Sequence, residues 1–374
     1  MFFDLIKKNK NSEARLGKLK TGHGTIQTPC FMPIATSGSI KSLDSVEAEK
    51  IGAEIILGNT YHLFLRPGDK LIKKLGDLHG FMNWNRPILT DSGGYQVFSL
   101  SKMRKITEEG VKFQSHLDGS HHMLTPERSI EIQLNLGSDI IMVMDECAPY
   151  PATKEYIKGS LEMTSRWAKR CLDHFNERQK KKAGKKNKPL LFCIIQGGTY
   201  KDLREESARQ LLELDFDGYA IGGVSVGEPS EKMSDVVDWT APLLPEKKPR
   251  YLMGVGKPEE IVSSVARGID MFDCVIPSRN ARHGTLYRFK TKNEKIKINR
   301  SCDGFYEILR ITNKKFKADK GPIDRNCGCF TCRNYSRAYL RHLFISGELL
   351  GLRLATIHNI FFYLELMKKI RNSI

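Results

Sequence analysis

The chain has 374 residues, 40% hydrophobic and 28% charged, enough for one large barrel or two ordinary domains with a soluble surface. Its formal net charge of +17 points to a polyanionic partner. No apolar run approaches the roughly 20 residues of a membrane helix. The apolar stretch at 2–6 is too short for a signal peptide, so a cytoplasmic protein with no membrane partner is expected.

Eight short apolar runs punctuate the first three quarters of the chain, at 31–34, 54–57, 87–90, 139–144, 190–195, 218–221, 250–253 and 271–276. Most lead directly into Gly, Asp, Asn or Gln, as strands do where they end at a functional rim. Between them, apolar residues at i, i+3, i+4 spacing predict helices. The clearest are 126–136, with Thr125 as N-cap and Pro126 at the first helical position, and 153–178; 230–244 and 258–268 read similarly. Eight strands alternating with helices predict a parallel closed (β/α)8 TIM barrel. The rival, an open doubly wound sheet, rarely requires eight strands. No G-x-G-x-x-G follows the first strand, and Gly22-His23-Gly24 reads as a turn in an N-terminal hairpin region.

The long connection at 98–123 predicts an inserted hairpin or lid after the third strand, and the six lysines within 180–188 predict an exposed loop. Beyond Arg279 the pattern changes to short alternating pieces at 286–289 and 296–298, a cysteine cluster, and a final helix near 348–369. The expected division is a barrel with its N-terminal hairpin region over 1–278. A basic zinc-binding subdomain with the C-terminal helix, packed on the barrel, covers 279–374.

Positions 279–341 carry 17 basic against 5 acidic residues, with Tyr287, Phe289, Phe305, Tyr306, Phe316, Phe330, Tyr335 and Tyr339 interleaved. That is the footprint of a nucleic-acid surface, although charge alone also fits a solvated face. Six of the nine cysteines are scattered, while Cys327, Cys329 and Cys332 cluster, which fits a reducing compartment with one metal site. His358 follows Cys332 by 26 positions. Three thiolates and an imidazole satisfy tetrahedral zinc with no open position, so the site should be structural. His342 lies closer in sequence and competes for the fourth place; His358 would staple the final helix to the cysteine loop.

Three aspartates fall at or just beyond predicted strand ends, where barrel enzymes place catalytic groups. Asp91 opens Asp91-Ser92-Gly93-Gly94-Tyr95-Gln96, Asp145 ends Ile141-Met142-Val143-Met144-Asp145, and Asp273 lies in Met271-Phe272-Asp273-Cys274. Any one of them could instead cap a helix or hold a structural ion pair. Three on one rim favour chemistry, and paired carboxylates suit displacement at an anomeric carbon. Gln196-Gly197-Gly198 and Gly222-Gly223-Val224-Ser225-Val226-Gly227-Glu228 follow strands five and six. A side-chain amide and exposed backbone N–H groups can read a flat heterocycle by its edge, with Tyr95 and Met253 as apolar faces above and below.

These segments, together with 251–256, 268–282 and the cysteine cluster through His358, closely resemble the bacterial tRNA-guanine transglycosylase family over nearly the whole chain. The resemblance implies a zinc-containing barrel enzyme, working as a homodimer, that exchanges guanine at the tRNA wobble position for preQ1. It implies that Asp273 attacks ribose C1′ and that Asp91 shuttles protons to the leaving and from the incoming base. Asp145 would accept from the base's ring N–H and amino group. Gln196 and the Gly223 backbone would bind its carbonyl, and Tyr95 and Met253 would sandwich the ring. Arg279 and Arg282 match positions that hold the anticodon loop. Val224-Ser225 stands where many relatives have Leu-Ala, which matters little if position 224 contacts ligand through its carbonyl. The chain also ends soon after Arg371, sooner than many relatives. Cys147 and Val226 follow the bacterial pattern.

Two other function classes compete. A catalytically silent tRNA-binding partner subunit should lack the nucleophile, whereas Asp273 and Asp91 are both present. A barrel glycoside hydrolase could use the same carboxylate pair. Sugar clefts usually show tryptophan platforms, and Trp84, Trp167 and Trp239 lie away from the predicted strand ends.

Overall fold

A computed structural model describes residues 2–100, 104–181, 188–291, 295–302 and 304–374. Eight parallel strands form its centre: β1 (Cys30–Pro33), β2 (Ile56–Gly58), β3 (Ile88–Thr90), β4 (Ile140–Met142), β5 (Leu190–Ile195), β6 (Gly218–Ile221), β7 (Arg250–Leu252) and β8 (Met271–Cys274). Each of the eight runs read from the sequence overlaps one of them; β1 begins one residue before its run and β2 ends one residue after its run. Strands buried on both faces need no polar alternation, so β5 is apolar and buried at all six positions.

The hydrogen-bonded order runs β1-β8-β7-β6-β5-β4-β3-β2. The remaining seam, β1 to β2, is closed by the parallel bridge Ile34–Leu57 and the Ala35 N–H on the Leu57 carbonyl at 2.7 Å. The result is the expected barrel. Helices wrap its outside: Pro126–Leu136 starts on the Thr125 cap with proline in its first turn, and Lys154–Lys180 starts on the Thr153 cap.

The N-terminal region forms a three-stranded antiparallel sheet, Phe3–Lys8, Arg15–Thr21 and Gly24–Thr28, with Gly22-His23 in its second turn. It meets the barrel where the strands begin. Arg15 pairs with Asp270, just before β8, and His23 with Asp139, just before β4. The insertion after β3 is larger than a hairpin. A helix, Gly94–Leu100, precedes a three-stranded sheet of Arg104–Thr107, Gly110–Gln114 and His121–Leu124. Most of the expected lysine loop, 182–187, lies outside the described residues.

After β8 come the helix Ile276–Arg282 and the strand Thr285–Phe289, which pairs with Tyr306–Arg310. The alternating piece at 296–298 is not a strand. Ile296 is buried and its N–H donates to Ser373 Oγ at 2.9 Å, so docking on the C-terminal end replaces a ladder there. The last helix, Leu349–Arg371, is long and apolar enough to cross a membrane by length and composition alone. Yet 61% of its apolar stretch is buried, because it packs on β1 and the Ile276–Arg282 helix as a core element. Asn359 on this helix donates to the Pro277 and Thr285 carbonyls at 3.0 and 2.9 Å, tying it to the segment that follows β8.

Candidate active site

The C-terminal ends of the barrel strands open into a cavity of about 440 Å³. Asp91, Asp145 and Asp273 all line it, as do Tyr95, Cys147, Gly223, Val224, Met253 and Arg279. Residues scattered over nearly 190 positions are thus brought together because consecutive parallel strands deliver their ends to one rim.

The three carboxylates differ in their surroundings. Asp273 sits inside β8, and its Oδ1 accepts from the Tyr251 hydroxyl and, at 2.9 Å, from the Gly254 N–H. Its Oδ2 has no hydrogen bond among the described residues, so one oxygen of this cavity-lining carboxylate is anchored and the other is unengaged. Asp91 follows β3 directly. Asn59 donates to its Oδ2 and the Thr60 N–H to its Oδ1 at 2.8 Å. Asp145 lies three residues beyond β4 and accepts from Gln196 Nε2 at 2.7 Å and Ser92 Oγ at 3.3 Å. Burial pushes Asp91 up to about 6 and Asp145 up to about 6, against these stabilising donors. It raises Asp273 as well, against the Tyr251 hydroxyl and the Gly254 N–H, which stabilise the anion. The Asp273 charge adds to the rise of Asp91. Two carboxylates poised near neutrality can hold or release a proton where water is largely excluded.

Gln196 lines a smaller neighbouring cavity of about 160 Å³ and reaches the large one through its bond to Asp145. Gly223 has a φ of +62°, and a Cβ there would lie 2.2 Å from Gln196 Oε1. Only glycine brings this backbone so close to the amide. The following turn is fixed by Glu228, whose carboxylate accepts from the Ser225 N–H and, at 3.0 Å, the Val226 N–H. Tyr95 is half exposed at the mouth, free to cover a flat ring. Arg279 lines the cavity, whereas Arg282, one turn later on the same helix, does not; it bonds the Ser278 carbonyl at 3.0 Å.

Several participants escape a reading of the sequence. Asn59 and Gln96 line the cavity, and Tyr251 holds Asp273. Arg204 is fully buried and has no carboxylate partner among the described residues. It donates to the carbonyls of Ile195, Gly198, Gly222 and Gly223 at 2.9, 2.8, 2.8 and 3.3 Å. One guanidinium therefore locks both glycine turns, and its burial pulls its pKa down to about 9. Asn59 had a signal, being the first polar residue after a strand end. Arg204 had none, since it lies mid-helix among charged neighbours.

Away from the cavity, Cys327, Cys329, Cys332 and His358 converge. His358 Nδ1 lies 3.7, 3.5 and 3.4 Å from the three sulfurs. Those are edge lengths of a tetrahedron around a metal with bonds of about 2.0–2.3 Å. The other ring nitrogen donates to the Tyr287 carbonyl at 2.6 Å, which leaves the Nδ1 lone pair aimed at the thiols. His342 instead stacks on Tyr339 and takes no part.

Known proteins resemble this chain over nearly its whole length. Residues 10–374 match a family profile described as queuine tRNA-ribosyltransferase. Proteins bearing that name are similar along the full chain. The one from Thermoanaerobacter sp. (strain X514) is 54% identical over 372 residues, covering 100% of this chain and 93% of its own. The one from Ruminiclostridium cellulolyticum is 55% identical with the same coverage, and that of Francisella tularensis subsp. novicida is 54% identical over 374 residues, 95% of its own length. The chain belongs to the queuine tRNA-ribosyltransferase family.

Proposed function

We propose that this chain exchanges guanine at the wobble position of tRNA for preQ1 through a covalent aspartyl–ribose intermediate. The observation that carries the reading is one cavity holding an anchored carboxylate, Asp273, beside a second that burial poises near neutrality, Asp91. Asp273 Oδ2 attacks C1′ of the flipped-out nucleotide, and the C1′–N9 electron pair leaves with guanine. Asp91 gives that base a proton. The incoming preQ1 returns one to Asp91 and attacks C1′, which expels Asp273 and restores both carboxylates. Asp145 accepts from the ring N–H and exocyclic amino group. Gln196, which donates to Asp145 in the resting cavity, turns with the Gly223 N–H to the base carbonyl. Tyr95 and Met253 sandwich the ring, Cys147 and the Val224 backbone line its edge, and Arg279 and Arg282 engage the anticodon loop.

The wider assignment has separate support. Cys327, Cys329, Cys332 and His358 would hold one structural zinc, which supplies folding free energy and no open coordination position. The same reading places a barrel over 1–278 and a basic zinc-bearing subdomain over 279–374. It includes a homodimer, supported by the exposed apolar side chains Phe330, Ile345 and Leu349, and a cytoplasmic location, supported by nine free cysteines. The test is incorporation of labelled guanine into tRNA, read beside a denaturant-stable protein–tRNA adduct. Asp273→Ala should abolish both and leave the tRNA Kd within about threefold, because phosphate contacts dominate affinity. An adduct surviving in that variant removes Asp273 as nucleophile. Tight tRNA binding by the unaltered protein with no exchange would favour the silent-subunit reading.

A further inference from the structure

At the opposite end of the barrel, three side chains from separate segments meet. His23 comes from the turn of the N-terminal sheet, His79 from the helix Asp77–Met82, and Asp139 from the residue before β4. Their candidate ligand atoms all lie within 4.8 Å of one another. His23 Nδ1 is 2.9 Å from Asp139 Oδ1, and His79 Nε2 is 3.3 Å from Asp139 Oδ2. The two imidazole rings stack at 3.6 Å with 21° between their planes.

We propose that His23, His79 and Asp139 form a second metal site, for a divalent ion of the zinc class, that clips the N-terminal sheet to the base of the barrel. Two imidazoles and a carboxylate are a zinc-type donor set, and bonds of about 2.0–2.2 Å place tetrahedral ligands roughly 3.3–3.5 Å apart. The two nitrogen–oxygen separations, 2.9 and 3.3 Å, lie within about 0.6 Å of those values, and the stacked rings would have to splay to aim both nitrogens at one ion. His79 Nε2 is buried and faces the carboxylate without the alignment of a hydrogen bond. Its contact with Asp139 Oδ2 at 3.3 Å is weaker than an aligned hydrogen bond, and a cation would satisfy the nitrogen better.

The carboxylate is also braced as metal ligands are. The Ile88 N–H donates to its Oδ2 at 2.9 Å and the His23 N–H to its Oδ1 at 3.0 Å, fixing its orientation from behind. Asp139 is almost fully buried and His79 about nine-tenths buried, whereas the His23 side chain is 36% exposed. Solvent therefore reaches one edge, and water would complete the coordination. Because the ligands span positions 23 to 139, an ion here closes a long loop and should stabilise the fold without touching the cavity at the other rim.

The experiment uses the full chain with its cysteine-bound zinc in place and adds cobalt(II) as the probe. Unaltered protein should take up one further ion per chain, with visible d–d absorption but no added thiolate charge-transfer band, and its thermal midpoint should rise. His23→Ala, at an exposed turn, should weaken this uptake at least about tenfold, the loss that even an outer-shell partner can cost. His79→Gln should do the same in a chain whose circular dichroism matches the parent. No uptake beyond the cysteine site, or equal uptake by parent and His23→Ala, overturns the proposal and leaves a hydrogen-bonded clasp.

Discussion

Replacing Asp145 by asparagine separates its two consequences, recognition and stability, in one variant. Asp145 is 6% exposed and accepts from Gln196 and Ser92, and burial lifts it from the usual 3.8 to about 6. In the proposed complex the carboxylate takes two N–H donors of the base, each charge-assisted bond worth about 1.5–3 kcal/mol. Asparagine keeps one acceptor and turns a donor toward a donor, so a loss of about 3–4 kcal/mol is expected, a few hundredfold or more in guanine inhibition constant. Stability moves the other way. With the folded value above the unfolded one, the native state holds the extra proton between roughly pH 4 and 6, so stability falls as pH rises through that window. The rise from 3.8 to about 6 amounts to roughly 3 kcal/mol above pH 6, from which the amide's lost acceptor takes back about 1. Asp145→Asn should therefore melt a few degrees above the parent at pH 8 and lose that advantage near pH 4. The assay pairs guanine inhibition of exchange with melting curves across that range, tRNA affinity serving as the control. Unchanged guanine inhibition in a folded variant removes Asp145 from base reading. A melting difference that does not shrink on acidification removes burial as the cause of the shift.

The other expectations are briefer. Cys329→Ser should release the zinc, lower the melting midpoint and weaken tRNA binding, while guanine affinity stays near normal because the cavity lies on the barrel; chelator-resistant zinc well below about one per chain in the parent would contradict a closed site. The affinity for tRNA should fall steeply with salt, by a log–log slope of roughly −0.7 per phosphate contact on single-stranded segments. Arg279→Ala should flatten that slope measurably, and an unchanged slope would mean that Arg279 meets no phosphate.

What was legible in the sequence follows from how each feature is encoded. Doubly buried parallel strands must be apolar throughout, so Leu190-Leu191-Phe192-Cys193-Ile194-Ile195 announces itself, and an aspartate just past such a run stands at a rim. Cys327, Cys329 and Cys332 are legible because metal-ligand sets constrain spacing, and His358, preferred over the nearer His342 for its place on the last helix, meets them in the fold. The strand Tyr306–Arg310 was missed, since a two-stranded ribbon half open to solvent carries too few apolar positions to stand out. Tyr251 looks like another buried aromatic; only the neighbouring strand reveals that its hydroxyl anchors Asp273. Arg204 is the hardest case. A buried arginine normally implies a carboxylate, and here backbone carbonyls of two turns satisfy it instead.

That substitution bears on why the cavity works. Among the described residues none of Asp91, Asp145 and Asp273 makes an ion pair. At the opposite rim Asp139 is lowered: burial alone would raise it, but His79, the Ile88 N–H and His23 outweigh that cost. The same residue type is thus stabilised at one end of the barrel and left destabilised at the other. A cation placed against Asp91 would hold it ionised and cost it the ability to protonate a leaving base; one against Asp273 would draw electron density from the attacking oxygen. Arg204 shapes the turns that would surround the base in the proposed complex, yet its donors are consumed by carbonyls rather than by Asp145. Among the described residues the fold thus leaves buried carboxylates without ion pairs at the rim where the proposed reaction would move charge, and pairs Asp139 and Asp270 at the other.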